Sequence, residues 1–344
     1  MNKRIRPIWC VILIAMLVSM VAVVGANPAT TAAQTPKYTF YFVSHIGPSD
    51  PNMLWLTRSI DDISKLLPVK VNYIAPEVFS PQAQADLLQT AIAAKPDGLI
   101  VPISDPAVFD TPLKDAIKAG IPVIASNIAD PRPAPDKIPY LTYVGGDEYK
   151  TGVEMAKRML QEFGSTVPKR VACGISHVGH VGAETRCQGM IDTLTPKGVT
   201  VEKIALTDQP AQISDTWRAY VQAHADTDAI WIVTLLATPY VYQVNKDLGL
   251  TDKIKIAVVD ESPMSIEGIL RGYVFATHSQ QFYLQGYLPV FWLYVYKELG
   301  YVPPPEEIIG PVIIDKTSAA DWKTRLIGIF GEKTYNDLAG WGAQ

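Results

Sequence analysis

The stretch AKPDGLIVPISDPAVFDTPLKDAIKAGIPVIAS, residues 94–126, decides the fold of this chain. It begins with a short apolar strand over residues 98–101, continues through a helix, and ends in a second apolar strand over residues 122–126. Gly120 stands where the helix ends, because glycine readily adopts the left-handed conformation that follows a helix. Strands that are apolar throughout are typical of parallel sheets with helices on both faces. The stretch therefore predicts an α/β fold.

The same alternation of strands and helices repeats in the second half of the chain. Residues 225–232, ADTDAIWI, echo residues 94–101, AKPDGLIV: a helix ends, an aspartate precedes a small residue, and a strand begins. Each stretch is then followed by a helix, a glycine and another strand. This repetition predicts two domains of the same doubly wound topology, although any α/β chain shows weaker echoes.

The N-terminal segment, residues 1–26, reads as an export signal. Three basic side chains within residues 3–6 precede an apolar run over residues 8–24, and small residues end the segment. The run is long enough to remain as an uncleaved membrane anchor, which is the alternative. Residues 27–37 are rich in Ala, Thr and Pro and are predicted to be a linker. We expect the chain to be secreted across the cytoplasmic membrane, to the periplasm or the cell surface.

The composition excludes several classes of function. Lys and Arg number 30 against 34 Asp and Glu, which gives a formal net charge of −4. The chain therefore lacks the excess of positive charge that is typical of nucleic-acid-binding proteins. The sequence contains no H-E-x-x-H, no G-x-S-x-G and no phosphate-binding G-x-x-x-x-G-K. We therefore expect a monomeric binding protein without a cofactor or a metal, and not an enzyme.

Polar residues follow the ends of the predicted strands. In open α/β sheets, ligands bind outside the carboxyl ends of the strands, so these residues form the candidate site. They are hydrogen-bonding groups without a nucleophile–base pattern, which favours binding over chemistry. The polar sets comprise residues 45–51, 104–105, 126–127, 177–186, 260–261 and 278–281.

Three blocks of sequence resemble the ribose-binding and sugar-binding branch of the type I periplasmic binding proteins. The strongest is VDESP at residues 259–263, continued through residues 275–289, and the others are residues 173–190 and 91–127. The resemblance as a whole extends over residues 38–315, nearly all of the chain that follows the linker. The resemblance implies a type I fold, in which two similar doubly wound parallel-sheet domains are joined by a hinge of three chain crossings. The two domains close around a solute by bending at this hinge.

The domains that the resemblance implies are interleaved in sequence. The N-terminal lobe comprises residues 38–144 and 281–310, and the C-terminal lobe comprises residues 145–280 and 311–344. The chain then crosses between the lobes near Gly145, near Gln280 and near Pro311. The helix predicted over residues 282–299 belongs to the first lobe although it comes late in the sequence.

The resemblance also implies a function and partners. It indicates an extracytoplasmic solute-binding protein that captures a sugar or polyol and delivers it to the membrane permease and ATPase subunits of an ABC importer. The alternative is a ligand-sensing receptor of the same fold that reports to a signalling system.

The positions of the family motifs imply eight ligand contacts in this sequence. Arg186 offers five fixed donors that suit neighbouring hydroxyl groups, and Asp260 can accept two hydrogen bonds. The remaining expected contacts are Asp50, Asn52, Met53, Trp55, Asn127 and Gln280. The family commonly has two aromatic residues where Asn52 and Met53 stand, and Trp55 is the nearest aromatic. Residues 234–236, TLL, replace a usual polar contact, so we expect a less polar pocket.

Two cysteines, Cys173 and Cys187, lie beyond the export segment, and three states are open to them. With His177 and His180 they make a zinc-ligand set, but the spacing C-x3-H-x2-H-x6-C fits no common zinc finger. The sequences that this chain resembles carry both cysteines, which favours a disulfide in an oxidising compartment. Two free buried thiols are the third state.

Overall fold

The computed structural model describes residues 35–207 and 209–341. The predicted export segment, residues 1–26, and most of the predicted linker, residues 27–37, lie outside the described residues. Within the described ranges, no helix has both the length and the apolar character that a membrane span requires.

Twelve strands of the described chain form two six-stranded sheets. Neighbouring strands run parallel except for the antiparallel pair β10–β12. The strands are β1 Tyr38–Val43, β2 Val69–Ile74, β3 Gly98–Val101, β4 Val123–Asn127, β5 Thr142–Gly145, β6 Arg170–Ile175, β7 Thr200–Ala205, β8 Thr227–Ile232, β9 Lys255–Ala257, β10 Ala276–Ser279, β11 Glu306–Ile308 and β12 Val312–Asp315.

Eleven α-helices connect and cover these strands in the described part of the chain. They are α1 Met53–Leu66, α2 Pro81–Ala93, α3 Pro106–Lys118, α4 Glu148–Phe163, α5 Val181–Leu194, α6 Pro210–Ala223, α7 Thr238–Asp247, α8 Pro263–Leu270, α9 Phe282–Leu299, α10 Ala319–Phe330 and α11 Glu332–Leu338. Several begin with a capping side chain followed by proline. At α2, for instance, the Ser80 hydroxyl accepts a hydrogen bond from the amide of Ala83.

The two sheets repeat one strand order. The first is β2-β1-β3-β4-β5-β11 and the second is β7-β6-β8-β9-β10-β12. We call the part of the chain built on the first sheet lobe 1 and the part built on the second sheet lobe 2. The predicted fold class, two similar doubly wound parallel-sheet domains, is confirmed.

The order of strands shows how the chain passes between the lobes. It leaves lobe 1 after β5, returns after β10 as helix α9, which packs on α1 and β4, and passes once more between β11 and β12. Gly145 still pairs with Asn127 in the first sheet, so one predicted boundary falls one residue inside β5. The C-terminal helices α10 and α11 pack on α8 in lobe 2.

Helix α6 begins at Pro210, and Ile213 and Trp217 on its apolar face are both fully or almost fully buried.

Candidate ligand site between the lobes

A cavity lies where the carboxyl ends of the two parallel sheets face each other. Six of the eight predicted contacts line it: Asp50, Asn52, Asn127, Arg186, Asp260 and Gln280. They come from the ends of strands in both lobes, as the geometry of open α/β sheets requires. The structure therefore brings together most of the residues that the sequence marked.

Among the residues that line this cavity, Arg186 alone carries a permanent positive charge. Its exposed fraction is 4%. Its Nε and Nη2 donate to the two carboxylate oxygens of Glu148 in a bidentate pair. Nη2 also donates to the Gln280 side-chain carbonyl at 2.7 Å, and Nη1 donates to the backbone carbonyl of Val233 at 3.3 Å. The guanidinium is thus held in one orientation by three residues of lobe 2 and the hinge.

Glu148 is a functional neighbour that the sequence reasoning missed. It starts α4, and Arg186 lies on α5, so the pair depends on how these two helices pack. Gly152 and Gly189 allow a close approach: a Cβ atom at Gly152 would lie 2.0 Å from the backbone oxygen of Arg186, and one at Gly189 would lie 2.1 Å from that of Tyr149. Burial raises the pKa of Glu148, and the Arg186 charge opposes that rise.

Asp260 joins the lobes directly. Its carboxylate accepts a hydrogen bond from the Asn52 amide of lobe 1 at 2.8 Å and one from the Gln280 amide at 2.5 Å. Burial raises the pKa of Asp260, whereas the Arg186 charge and the two amide donors lower it. The carboxylate therefore presents acceptor oxygens at the centre of the cavity.

Asn127 and Asp260 both have backbone conformations that few residues adopt. Their φ angles are 65° and 73°, in the left-handed region that Asn and Asp tolerate best after glycine. Each follows or ends a strand at the cavity, and such strained positions cluster at functional sites. The Asn127 amide donates to Gln280 at 3.1 Å and to Gln285 at 2.8 Å, so Gln285 of α9 is a second neighbour that the sequence reasoning missed.

Two further carboxyl groups, those of Asp50 and Glu261, have raised pKa values. Burial and the charge of Asp260 raise the pKa of Asp50 to about 7, and the same two causes raise the pKa of Glu261 to about 7. Glu261 accepts hydrogen bonds from the backbone amides of Gln280 and Phe282, at 2.9 Å and 2.8 Å. It therefore fixes the crossing at which the chain returns to lobe 1.

The structure does not bring Met53 and Trp55 into the cavity. Met53 packs against the apolar core, and the Trp55 ring lies edge-to-face on Phe330 at 4.7 Å between ring centroids. The Trp55 indole also donates to the backbone carbonyl of Glu261 at 3.4 Å. Both side chains therefore belong to the packing around α1, and neither is among the residues that line the cavity.

The side of the cavity that follows β8 is apolar, as residues 234–236 predict. Val233, Leu235 and Leu236 line it, and the Thr234 hydroxyl is occupied in accepting the Ser176 amide at 2.9 Å. His45 and His180, which belong to the polar sets at residues 45–51 and 177–186, also line the cavity, although neither was among the eight predicted contacts.

Cys173 and Cys187 form a disulfide between β6 and α5. This bond contradicts the zinc set, because neither sulfur remains available as a thiolate. Within the described ranges, no group of three or more His, Cys, Asp or Glu side chains is arranged to hold a metal ion. The disulfide fixes α5, and with it Arg186, to the second sheet.

A curated sugar-binding protein is similar to much of this chain. The xylose/arabinose-binding protein XylF of Sulfolobus acidocaldarius is 28% identical over 273 residues, which is 76% of this chain. The aligned part spans 66% of that relative, slightly less than two thirds of its length.

Two solved structures are similar over most of this chain. A periplasmic sugar-binding protein of an ABC sugar transporter from Legionella pneumophila is 25% identical, with a TM-score of 0.73 over 80% of this chain and 100% of its own. A carbohydrate transporter protein from Acidothermus cellulolyticus, crystallised with myo-inositol, is 26% identical, with a TM-score of 0.75 over 87% of this chain and 100% of its own.

A family model settles the relationship. Residues 42–298, well over half of the chain, match the model of a periplasmic binding protein domain. The two repeated sheets, the three passages between them and the polar cavity at their carboxyl ends agree with that match. This chain belongs to the periplasmic binding protein family.

Proposed function

We propose that this protein captures a sugar or polyol between its two lobes and delivers it to the permease and ATPase subunits of an ABC importer. One observation carries the proposal: buried donors and acceptors from both lobes converge on a single cavity. The family implies an extracytoplasmic location, and we place the protein in the periplasm or at the cell surface.

The chemistry of the cavity suits a neutral solute with many hydroxyl groups. A hydroxyl both donates and accepts, so it can pair with the Asp260 carboxylate and with the Arg186 guanidinium at once. Hydrogen bonds to such charged groups are roughly twice as strong as those between neutral groups. The apolar side formed by Val233 and Leu235 suits the C–H face of a sugar ring.

Bonds between the lobes indicate how capture proceeds. In the closed arrangement, Asn52 donates to Asp260 at 2.8 Å, and the Val181 amide donates to the Ser104 carbonyl at 3.3 Å. A bound solute adds its own hydrogen bonds to both sides of this interface, so binding favours closure and release accompanies opening. We infer reversible capture without cleavage of any bond in the solute.

The test is a thermal-shift screen of the protein without its export segment. Xylose, arabinose and myo-inositol come first, because one relative is named for the first two and another was solved in complex with the third; other pentoses, hexoses, nucleosides and thio-sugars follow. A ligand at one hundred times its Kd stabilises the protein by about 2.7 kcal/mol, which raises Tm by several degrees.

A matched variant makes the screen specific. Asp260→Asn keeps the shape of the side chain but removes the charge, so it should reduce the shift produced by any genuine ligand. If no sugar or polyol raises Tm, or if Asp260→Asn responds as the wild type does, the proposed function is wrong. Uptake of the same sugar by cells that lack this protein then tests delivery.

A further inference from the structure

Three histidines and one phenylalanine meet across the cleft beside the cavity. His45 and Phe79 belong to lobe 1, and His177 and His180 belong to lobe 2; we call these four residues the imidazole cluster. The His45 and His180 ring centroids lie 5.3 Å apart, and His177 stacks on Phe79 with 4.4 Å between centroids. Each of these two ring contacts joins a residue of lobe 1 to a residue of lobe 2.

Two members of the imidazole cluster, one from each lobe, are buried residues that line the cavity. His45 is 7% exposed and lines the cavity, and its Nδ1 has no hydrogen-bond partner among the described residues. His180 is 5% exposed and also lines the cavity. Its Nδ1 accepts the Ala183 amide at 3.1 Å, so the neutral ring carries its proton on Nε2.

A ligand hydroxyl is the group that fits this pair. The Nε2–H of His180 needs an acceptor, whereas the bare His45 Nδ1 can serve as donor or acceptor according to its tautomer. A hydroxyl matches either arrangement, because it accepts one hydrogen bond and donates another. A carboxylate only accepts, so it matches only the arrangement in which His45 Nδ1 carries its proton, and an ammonium group matches neither, because it offers no acceptor to His180.

The surroundings of the imidazole cluster keep these rings uncharged. Burial, together with the nearby His177 and Arg186, lowers the pKa of His45 to about 3. Burial, His45, His177 and Arg186 lower the pKa of His180 well below its ordinary value. The carboxyl groups of Asp50 and Asp260 share the cavity, and Glu77 lines the adjoining space beside His45, but none donates or accepts a hydrogen bond with either ring.

We propose that His45 and His180 are ligand-specificity residues, one from each lobe, which bind a ligand hydroxyl as neutral imidazoles, so that capture weakens in acid. This inference rests on the proposed function and names the group on the solute that the two lobes share. It also explains why unpaired imidazole nitrogen is buried at the junction of the lobes.

The direction of the pH effect follows from the two states of the lobes. In the open state the rings are solvated and titrate near pH 6.5, whereas the closed state admits only the neutral form. At pH 5, each such histidine therefore weakens capture by about 30-fold relative to pH 8. Asp50 has the opposite effect on capture. Its pKa is raised to about 7 in the closed protein, so closure takes up a proton as the pH falls below about 7, and this uptake favours capture in acid.

A comparison of variants separates these opposing contributions. The Kd for D-xylose, L-arabinose and myo-inositol is measured by calorimetry at pH 8 and pH 5 for the wild type, His45→Gln and His45→Phe. Glutamine keeps a polar group that does not titrate, and all carboxyl groups are unchanged. The ratio of Kd at pH 5 to Kd at pH 8 should be about 30-fold smaller in His45→Gln than in the wild type.

The other variants sharpen the result. His45→Phe keeps a flat ring without polar atoms, so it should bind at least tenfold more weakly than the wild type even at pH 8. His224→Gln is the control: it makes the same substitution at the end of α6, beside Tyr220 and away from the cleft. Its ratio of Kd at pH 5 to Kd at pH 8 should equal that of the wild type. His180→Gln repeats the test at the second ring and replaces His45→Gln should that variant not fold.

Equal pH ratios in the wild type and in the glutamine variants would overturn the inference, and so would wild-type affinity in His45→Phe at pH 8. Either result, with a sugar still bound at pH 8, leaves the proposed function intact. If none of the three probes binds to the wild type at pH 8, both the inference and the assignment of those sugars fail.

Discussion

Lobe 2 presents its cavity-lining groups as a connected charged network, whereas lobe 1 presents mainly neutral ones. In lobe 2, Arg186 is bonded to Glu148 and to Gln280, which in turn donates to Asp260. In lobe 1, the Asn52 amide finds its partner across the cleft on Asp260. One half of the site is therefore assembled before closure, and the other half is completed by it.

This difference predicts an order of events. Preformed donors and acceptors lower the cost of ordering side chains when a solute binds, so the solute should first settle on lobe 2. The Cys173–Cys187 disulfide and the close packing of α4 on α5 hold that surface in place. Lobe 1 then closes with Asn52 and its imidazole, which favours solutes that can satisfy both sides.

The largest expected effect is that of Arg186→Ala. It leaves the buried Glu148 carboxylate without its partner, which should lower the free energy of unfolding by about 3 kcal/mol. It also removes the permanent cation of the cavity, so affinity for the sugar that gives the largest thermal shift should fall at least 100-fold, about 2.7 kcal/mol. Urea unfolding and calorimetry measure the two quantities.

Two control variants relate this result to the comparison of the lobes. Arg218→Ala removes an arginine of lobe 2 whose pair with Asp247 is exposed, and it should change stability by less than about 1 kcal/mol. Asn127→Ala removes a lobe 1 group and should cost about tenfold in affinity. If Asn127→Ala weakens binding more than Arg186→Ala does, lobe 2 is not the primary docking surface.

A smaller effect is expected from removal of the disulfide. The bond links residues 14 positions apart, and a loop of this size contributes about 3 kcal/mol to stability, with little direct effect on the cavity. In Cys173→Ala/Cys187→Ala, hydrogen exchange should quicken in β6 of lobe 2 and remain unchanged in β1 of lobe 1. Two titratable thiols in the denatured exported wild type would show that the bond does not form.

The positions at strand ends were predictable from sequence because a parallel sheet leaves little choice. Once the strands are assigned, residues such as Asn127 and Asp260 must lie at the carboxyl edge, wherever the helices pack. The repeated strand order follows from the same alternation of apolar runs and helices. The strand-end rule marked the whole set of residues 177–186, and the resemblance singled out Arg186 within it, which sits on a helix.

The contacts that sequence reasoning missed depend on packing between distant segments. Glu148 reaches Arg186 only because glycines let α4 and α5 approach closely, and Gln285 reaches Asn127 only because α9 returns to lobe 1. The polar sets at residues 45–51 and 177–186 include His45 and His180. Their pairing arises from closure of the lobes, which has no local signal in the sequence.

The smallest expected effect contrasts two adjacent residues of lobe 1. Asn52 and Met53 occupy the positions where the family has aromatic residues, yet only Asn52 lines the cavity, because one residue along a helix rotates the side chain by about 100°. Asn52→Ala removes the bond to Asp260 that joins the lobes and should weaken sugar binding by about tenfold, or 1.4 kcal/mol.

Met53→Ala, in contrast, should leave affinity within about twofold, since its side chain packs on the core and not on the solute. Calorimetry on the two variants with the same sugar decides the matter. A tenfold loss in Met53→Ala with no loss in Asn52→Ala would mean that helix α1 turns its other face to the ligand. Lobe 1 would then contribute an apolar wall instead of hydrogen bonds, and the difference between the lobes would be one of polarity and no longer one of preassembly.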